Sequence, residues 1–318
     1  MKIFKLFLNS IVSILIVIIC VIFFINNSKS EFNLEELFVD IISGWYYLFL
    51  ACIILICNVY LRTYRWKYLF NSETKLKFNF LFKSQLIGYF INNISPIRIG
   101  DLVRSYVVSK KTNQKMSYIV GTIAMERFLD TITIMFFGSI LIFHYGLDYL
   151  DIKFNLISSS FIIWLLLAFG AIFLCYKFFF NTYLNKIFKN FWLGFSAIQF
   201  EHKKSIIIYS ILIWCFYSIN VFLIQSIFSE LQLNIFDCLL ILVSASLLQM
   251  IPIGFGGLGV FHLGVQGVLN KLGFQDYNNF IILLHIYSLI IYTVYGGYFF
   301  FSEKILNIKN IYRDLLKD

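Results

Sequence analysis

The 318-residue chain is 60% hydrophobic and only 14% charged, against about 25% charged in an average soluble domain. That composition excludes an ordinary soluble enzyme and points to a chain solvated by lipid, an impression strengthened by 38 phenylalanines. The formal net charge of +9 fits lysine and arginine gathered on the cytoplasmic side of a membrane better than nucleic-acid binding.

In chain order, Met1 to Ile25 carries Lys2 and Lys5 ahead of a long apolar run with no small-residue cleavage pattern, and reads as an uncleaved first span. Residues 27–44 hold Glu31, Glu35, Glu36 and Asp40. Asn33 followed by Glu36 resembles a capping box, and Leu34, Leu37, Phe38 and Ile41 share a face, so a short interfacial helix is expected. A second span is expected over 45–61, followed by a basic loop holding Arg62, Arg65, Lys67, Lys75, Lys77 and Lys83. A broken apolar element over 80–97 then leads into Arg98, Arg104, Lys110, Lys111 and Lys115. Basic residues on both sides imply that it enters and leaves by one face, as a re-entrant hairpin.

A third span is expected over 118–143, a fourth over 156–179 and a fifth over 205–228. Between the last two, Leu184, Phe188, Phe191, Phe195 and Ile198 fall on one helical face, a second interfacial helix. A second broken element occupies 235–272, a sixth span 280–301, and a basic tail follows. With both termini cytoplasmic, all but four of the 26 basic residues (Lys29, Arg127, Lys153 and Lys271) fall on the cytoplasmic side.

The only two prolines, Pro96 and Pro252, lie in the broken elements. Proline removes a backbone donor and glycine lets the chain bend back. At membrane depth such backbone survives only where protein or a water-filled cavity covers it. The order of span, span, broken hairpin, span occurs twice, in halves 1–145 and 155–303 of a single transmembrane domain. The expected fold is therefore an all-α polytopic membrane protein, with six full transmembrane helices and two re-entrant hairpins in an inverted-topology repeat.

Chemistry-bearing residues are few. Glu126, Arg127 and Asp130 sit inside the third span, where unpaired charge costs several kcal/mol. Arg127 and Asp130 can pair at i, i+3. Either acid is a candidate proton carrier. Arg98, Asp101 and Arg104 flank Pro96 at spacings of three, and two guanidiniums suit a phosphate. Asn92, Asn93 and Ser95 add hydrogen-bonding groups at membrane depth. In the second element Gly254, Gly256 and Gly259 spell GxGxxG, with Gly257 between. A dinucleotide fingerprint needs a strand and a βαβ unit, so the glycines read instead as a helix break with exposed N–H groups. Gln249 and His262 bracket that bend. His144, His202 and His285 are weaker candidates. The six cysteines lack metal-ligand spacing, and neither a metal nor another cofactor is expected.

The series Asn93-x-Ser95-Pro96-x-Arg98-x-Gly100-Asp101-x-x-Arg104, then Glu126-Arg127-x-x-Asp130, then Ile251-Pro252 with Gly256-Gly257-x-Gly259, resembles the lysylphosphatidylglycerol synthase transmembrane region family, also called flippase-like or UPF0104. The resemblance covers nearly the whole chain. It implies a multi-pass plasma-membrane (inner-membrane) protein that moves a phospholipid or isoprenoid-linked lipid between leaflets. The family usually has Glu where Asp101 stands and Arg-Glu where Phe261 and His262 stand. The tail is short, so the soluble synthase domain of bifunctional members is expected to be absent, and with it lysyl transfer. Expected partners are membrane lipids, with a lipid-modifying enzyme or a second copy of the chain as further candidates, and no nucleic acid. No catalytic residue is assigned. The alternative is a membrane-embedded transferase, or its accessory subunit, acting on a lipid carrier. It would need acids such as Asp148 and Asp151 to hold a metal.

Overall fold

The computed structural model describes residues 33–70, 76–95, 99–112, 114–146, 182–198, 200–250, 255–275 and 277–302. Ten α-helices account for most of them, and no strand occurs among the described residues. They are α1 (Leu34–Ser43), α2 (Trp45–Lys67), α3 (Phe78–Ile94), α4 (Gly100–Thr112), α5 (Met116–Tyr145), α6 (Thr182–Phe195), α7 (Lys203–Gln225), α8 (Ile235–Gln249), α9 (Val260–Lys271) and α10 (Asn278–Ser302).

Four helices, α2, α5, α7 and α10, are long and apolar enough to cross a membrane, with mean hydropathies of 1.7, 1.6, 2.1 and 1.8. At about 1.5 Å per residue each exceeds the roughly 30 Å of a hydrocarbon core. They correspond to the second, third, fifth and sixth expected spans. The first and fourth spans lie outside the described residues, as do Asp148 and Asp151. Helices α3 and α4 pack side by side, and so do α8 and α9. Each pair interrupts the series of long helices where the sequence has a proline.

The cap at Asn33 is formed: its Oδ1 accepts the N–H groups of Glu35 and Glu36 at 3.0 and 3.3 Å. Of the expected α1 face, Leu37 is buried while Leu34 and Phe38 are exposed. Two boundaries differ from expectation. The second span does not stop at Leu61 but continues to Lys67, because Arg62 and Arg65 find buried carboxylates instead of water. The first broken element does not end at residue 97. Beyond it the chain continues as α4, packed against α3, so Arg104 lies buried on a helix and not in a basic loop. Ser95 is extended (φ −100°, ψ 132°), as the residue before a proline tends to be, and this ends α3. The chain restarts as helix where the Gly100 N–H donates to Asn92 Oδ1 at 2.7 Å. A Cβ at Gly100 would collide with the Gly88 carbonyl oxygen and the Asn92 side chain, so this approach requires glycine.

The main core gathers α2, α5, α7, α8, α9 and α10 around residues such as Leu55, Ile213, Ile224, Ile241, Val265 and Phe280. A second core joins Trp66, Leu69, Phe70, Leu81, Val108 and Ile119 at one end of α2. Helix α6 crosses α5 closely. A Cβ at Gly194 would strike the Tyr118 carbonyl oxygen, and one at Gly121 the Phe191 carbonyl oxygen. The face read as interfacial is thus divided: Phe195 and Ile198 pack on the second core, Phe191 is half-buried and Phe188 is 48% exposed. Leu184 has no described side chain. Gly194→Val or Gly121→Val is expected to destabilise the fold by about 1–3 kcal/mol through overpacking. Gly138→Ala, where a Cβ meets nothing within 4 Å, should be neutral. Thermal unfolding of the detergent-purified variants makes the comparison.

Candidate functional site

Helix α2 carries Asn58, Arg62 and Arg65 at spacings of four and three, which place them along one stripe. Asn58 Nδ2 donates to the Ile213 carbonyl oxygen at 2.9 Å, tying the stripe to α7. The two arginines turn instead toward α5, where Glu126 lies about 15 Å from the start of a 30-residue helix. Helix α4 brings Asp101 and Arg104 to the same place.

The result is one connected cluster. Arg62 Nη1 lies 3.4 Å from both Glu126 Oε1 and Asp130 Oδ2. Arg65 Nη2 lies 2.8 Å from Asp130 Oδ1 and 3.6 Å from Glu126 Oε1. Its Nη1 donates to Ser210 Oγ at 3.1 Å. Arg104 Nη2 meets Glu126 Oε2 at 3.1 Å, and its Nε meets Asp101 Oδ1 at 3.0 Å. Arg104 Nη1 also donates to Gln85 Oε1. Its guanidinium sits 4.7 Å from the centre of the Trp66 ring, whose Nε1 donates to Thr122 Oγ1 at 3.0 Å. Arg127 closes the rim through Asp101 Oδ1 at 3.2 Å and Asp130 Oδ2 at 3.6 Å.

Burial divides this cluster into a sealed floor and an open rim. The side chains of Arg65, Arg104 and Glu126 are 0%, 1% and 0% exposed, whereas those of Arg127 and Asp101 are 44% and 35% exposed. Four guanidiniums face three carboxylates, so one positive charge is left over among the described members. At the rim the Asp101 carboxylate is the anion that Arg127 meets, and guanidiniums so placed have the chemistry to pair with an anion.

Tyr89 and Tyr292 extend the site toward α10. Gln85 Nε2 donates to Tyr89 Oη at 2.7 Å, and the rings of Tyr89 and Tyr292 are 4.6 Å apart. One helical face of α10 presents His285, Leu289, Tyr292 and Thr293. Asn93 Nδ2 donates to Thr293 Oγ1 at 3.1 Å and to the Leu289 carbonyl oxygen at 3.4 Å. There the end of α3 meets the glycine turn. Gly256, Gly257 and Gly259 all take positive φ (57°, 84° and 83°). A Cβ on Gly256 would stand 2.6 Å from Leu289 and 3.3 Å from Asn93 Oδ1.

Asp101, Arg104, Glu126, Arg127 and Asp130 are therefore brought together, and Asn93 with Gly256 forms a second junction. Ser95 caps α3 through its backbone N–H to the Ile91 carbonyl oxygen at 2.9 Å. Gln249 ends α8 and is half-buried. Pro96, Arg98 and Pro252 lie outside the described residues. Sequence reasoning missed Arg62 and Arg65 as site residues and assigned them to a loop. The available signal was their continuation of the Asn58 stripe. Among the described residues, no group of three or more His, Cys, Asp or Glu side chains is placed to hold a metal.

Residues 10–296 match the family described as the lysylphosphatidylglycerol synthase TM region. Two proteins of Methanocaldococcus jannaschii are similar. The UPF0104 membrane protein MJ1078 is 31% identical over 225 residues, 67% of this chain and 93% of that protein. The UPF0104 membrane protein MJ1595 is 32% identical over 111 residues, 33% of each chain. No solved structure matches.

Removing one member of a buried ion cluster leaves the others uncompensated, which costs about 3–5 kcal/mol. Glu126→Ala is accordingly expected to lose most folded protein. Rim substitutions at Asp101 should be milder. Size-exclusion profiles and thermal unfolding in detergent distinguish the two classes.

Proposed function

We propose that this chain, which belongs to the lysylphosphatidylglycerol synthase TM region family, binds the anionic headgroup of a membrane lipid at the arginine–carboxylate cluster and moves that lipid between leaflets. The observation that carries this reading is the single excess positive charge of a cluster whose floor is buried and whose rim is open. A positive charge left over at the mouth of such a cluster, among apolar helices, is offset by a headgroup phosphate.

The steps follow from the contacts. Arg127 is held by Asp101. An arriving phosphate displaces the Asp101 carboxylate from Arg127, exchanging one anion for another, while Asp101 keeps its contact with the buried Arg104 Nε. Arg62 and Arg65 stay on Glu126 and Asp130 and keep the floor fixed. Acyl chains remain in lipid beside the exposed apolar side chains Phe128 and Ile132, which follow Arg127 along α5.

In this reading the α3–α4 and α8–α9 pairs are re-entrant hairpins entering from opposite faces, within six spans arranged as an inverted repeat. The second hairpin is the opposing gate through Gln249, Pro252 and Gly256. The protein lies in the plasma membrane with both termini cytoplasmic. The partners are the lipids themselves, with a lipid-modifying enzyme as a candidate consumer of the moved lipid.

The test is lipid movement by purified protein in liposomes, followed by leaflet-specific quenching of labelled phospholipids and isoprenoid-linked lipids. The expected result is movement of an anionic lipid, reduced at least tenfold by Arg127→Gln. That substitution touches only the rim, so folded yield should be retained. Movement that survives Arg127→Gln unchanged would remove the headgroup assignment.

A further inference from the structure

Beside the ion cluster lies a polar chamber to which the anion reading gives no role. Its floor is Arg62 and Arg104, which meet Glu126 at 3.4 and 3.1 Å. Its walls are Tyr89 of α3, Tyr217 of α7 and Tyr292 of α10. The Arg62 guanidinium sits 5.5 Å from the centre of the Tyr217 ring, and the rings of Tyr89 and Tyr292 are 4.6 Å apart. Tyr292 in turn has Tyr217 as a neighbour. Gln85 closes the circuit, accepting from Arg104 Nη1 and donating to Tyr89 Oη at 2.7 Å.

Two atoms of this chamber lack a hydrogen bond. Arg62 Nε belongs to a side chain only 7% exposed, and Tyr292 Oη, though beside Tyr217, makes no well-aligned bond. Leaving such groups unmet between membrane-spanning helices is costly. Polar side chains kept at that cost inside a membrane mark the path of a polar substrate. Neither atom is reached by solvent in this conformation. The three tyrosines are only half-buried, so their rings have room to shift and bring both atoms to a guest. The chamber and the rim share a single carboxylate oxygen: Asp130 Oδ2 lies 3.4 Å from Arg62 Nη1 and 3.6 Å from Arg127 Nη1. A phosphate at Arg127 therefore holds the next groups of the same headgroup within reach of Arg62.

We infer that the chamber receives the part of the lipid headgroup beyond its phosphate, and that this part is an uncharged polyol such as glycerol or inositol. The inference rests on the lipid-moving reading above and names the headgroup class. An ammonium is disfavoured, because the surrounding cluster already holds one more positive charge than negative. A second anion would have to compete with Glu126, whose two oxygens face Arg62 and Arg104. A wholly apolar group would leave Arg62 Nε and Tyr292 Oη unmet. Hydroxyls suit both: one accepts from Arg62 Nε, another shares a hydrogen bond with Tyr292 Oη, and the C–H faces of the polyol rest on the tyrosine rings.

The experiment uses full-length protein in liposomes that carry one labelled lipid at a time. The lipids are phosphatidylglycerol, phosphatidylinositol, phosphatidic acid, which ends at its phosphate, and phosphatidylethanolamine, which adds an ammonium. The two polyol lipids should move about tenfold faster than the other two, the worth of one good hydrogen bond to a charged donor. Tyr292→Phe keeps the ring and removes the hydroxyl, and should lower the ratio of phosphatidylinositol to phosphatidic acid movement to about one. Tyr217→Phe, which removes the neighbouring hydroxyl, serves as a second variant. The ratio, not the rate, is the readout, because a loss of packing would slow all four lipids alike. Equal movement of all four by the wild type, or a ratio unchanged in both variants, overturns the proposal. Should the wild type move no lipid, the lipid-moving reading falls and the chamber is judged by binding. Native mass spectrometry of the detergent-purified protein should then show phosphatidylinositol retained over phosphatidic acid by the wild type and not by Tyr292→Phe. Equal retention of the two lipids by the wild type overturns the chamber as well.

Discussion

The helices that carry the candidate site meet at one ion cluster, in which four arginines face three carboxylates over a floor closed off from water. Taking such groups out of water costs several kcal/mol apiece, and only dense mutual contact repays it. Helix α2 is therefore longer than its apolar run, α5 carries charge inside a span, and α4 turns back into the protein. The packing around the cluster is correspondingly exact in kind. Trp66 lies against Arg104, and the Gly88–Gly100 contact lets α4 approach α3 closely enough for Arg104 to reach Gln85.

The second organising contact is the meeting of the two interrupted helix pairs along α10. Asn93 from the first pair and Gly256 from the second share Leu289 as a neighbour. Two segments separated by some 160 residues thereby become parts of one junction.

Much of this was legible in the sequence. Apolar run lengths gave the long helices, and the prolines and glycines gave the interruptions. The spacing of Glu126, Arg127 and Asp130, with Asp101 and Arg104 beside Pro96, gave five of the seven charged members of the cluster. Arg62 and Arg65 were obscured because an arginine at the end of an apolar run looks the same whether it faces water or a buried acid. Only the partner decides, and Glu126 is 64 positions away from Arg62. His285 was obscured for the same reason: its meaning comes from His262 and the Gly256 carbonyl. Tyr89 and Tyr292 looked like two more aromatics among many.

The distribution of the cluster over α2, α4 and α5 also bears on biogenesis. During synthesis α2 reaches the bilayer before its acids have been made. Arg62 and Arg65 lie in its last turns, where long side chains can reach back to the interface until partners arrive. Helix α5 has no such refuge, since Glu126 and Asp130 are well inside it. Docking on α2 and α4 offsets the cost of carrying those acids into the bilayer. Helices α2, α4 and α5 are therefore expected to assemble cooperatively, not as independently inserted helices.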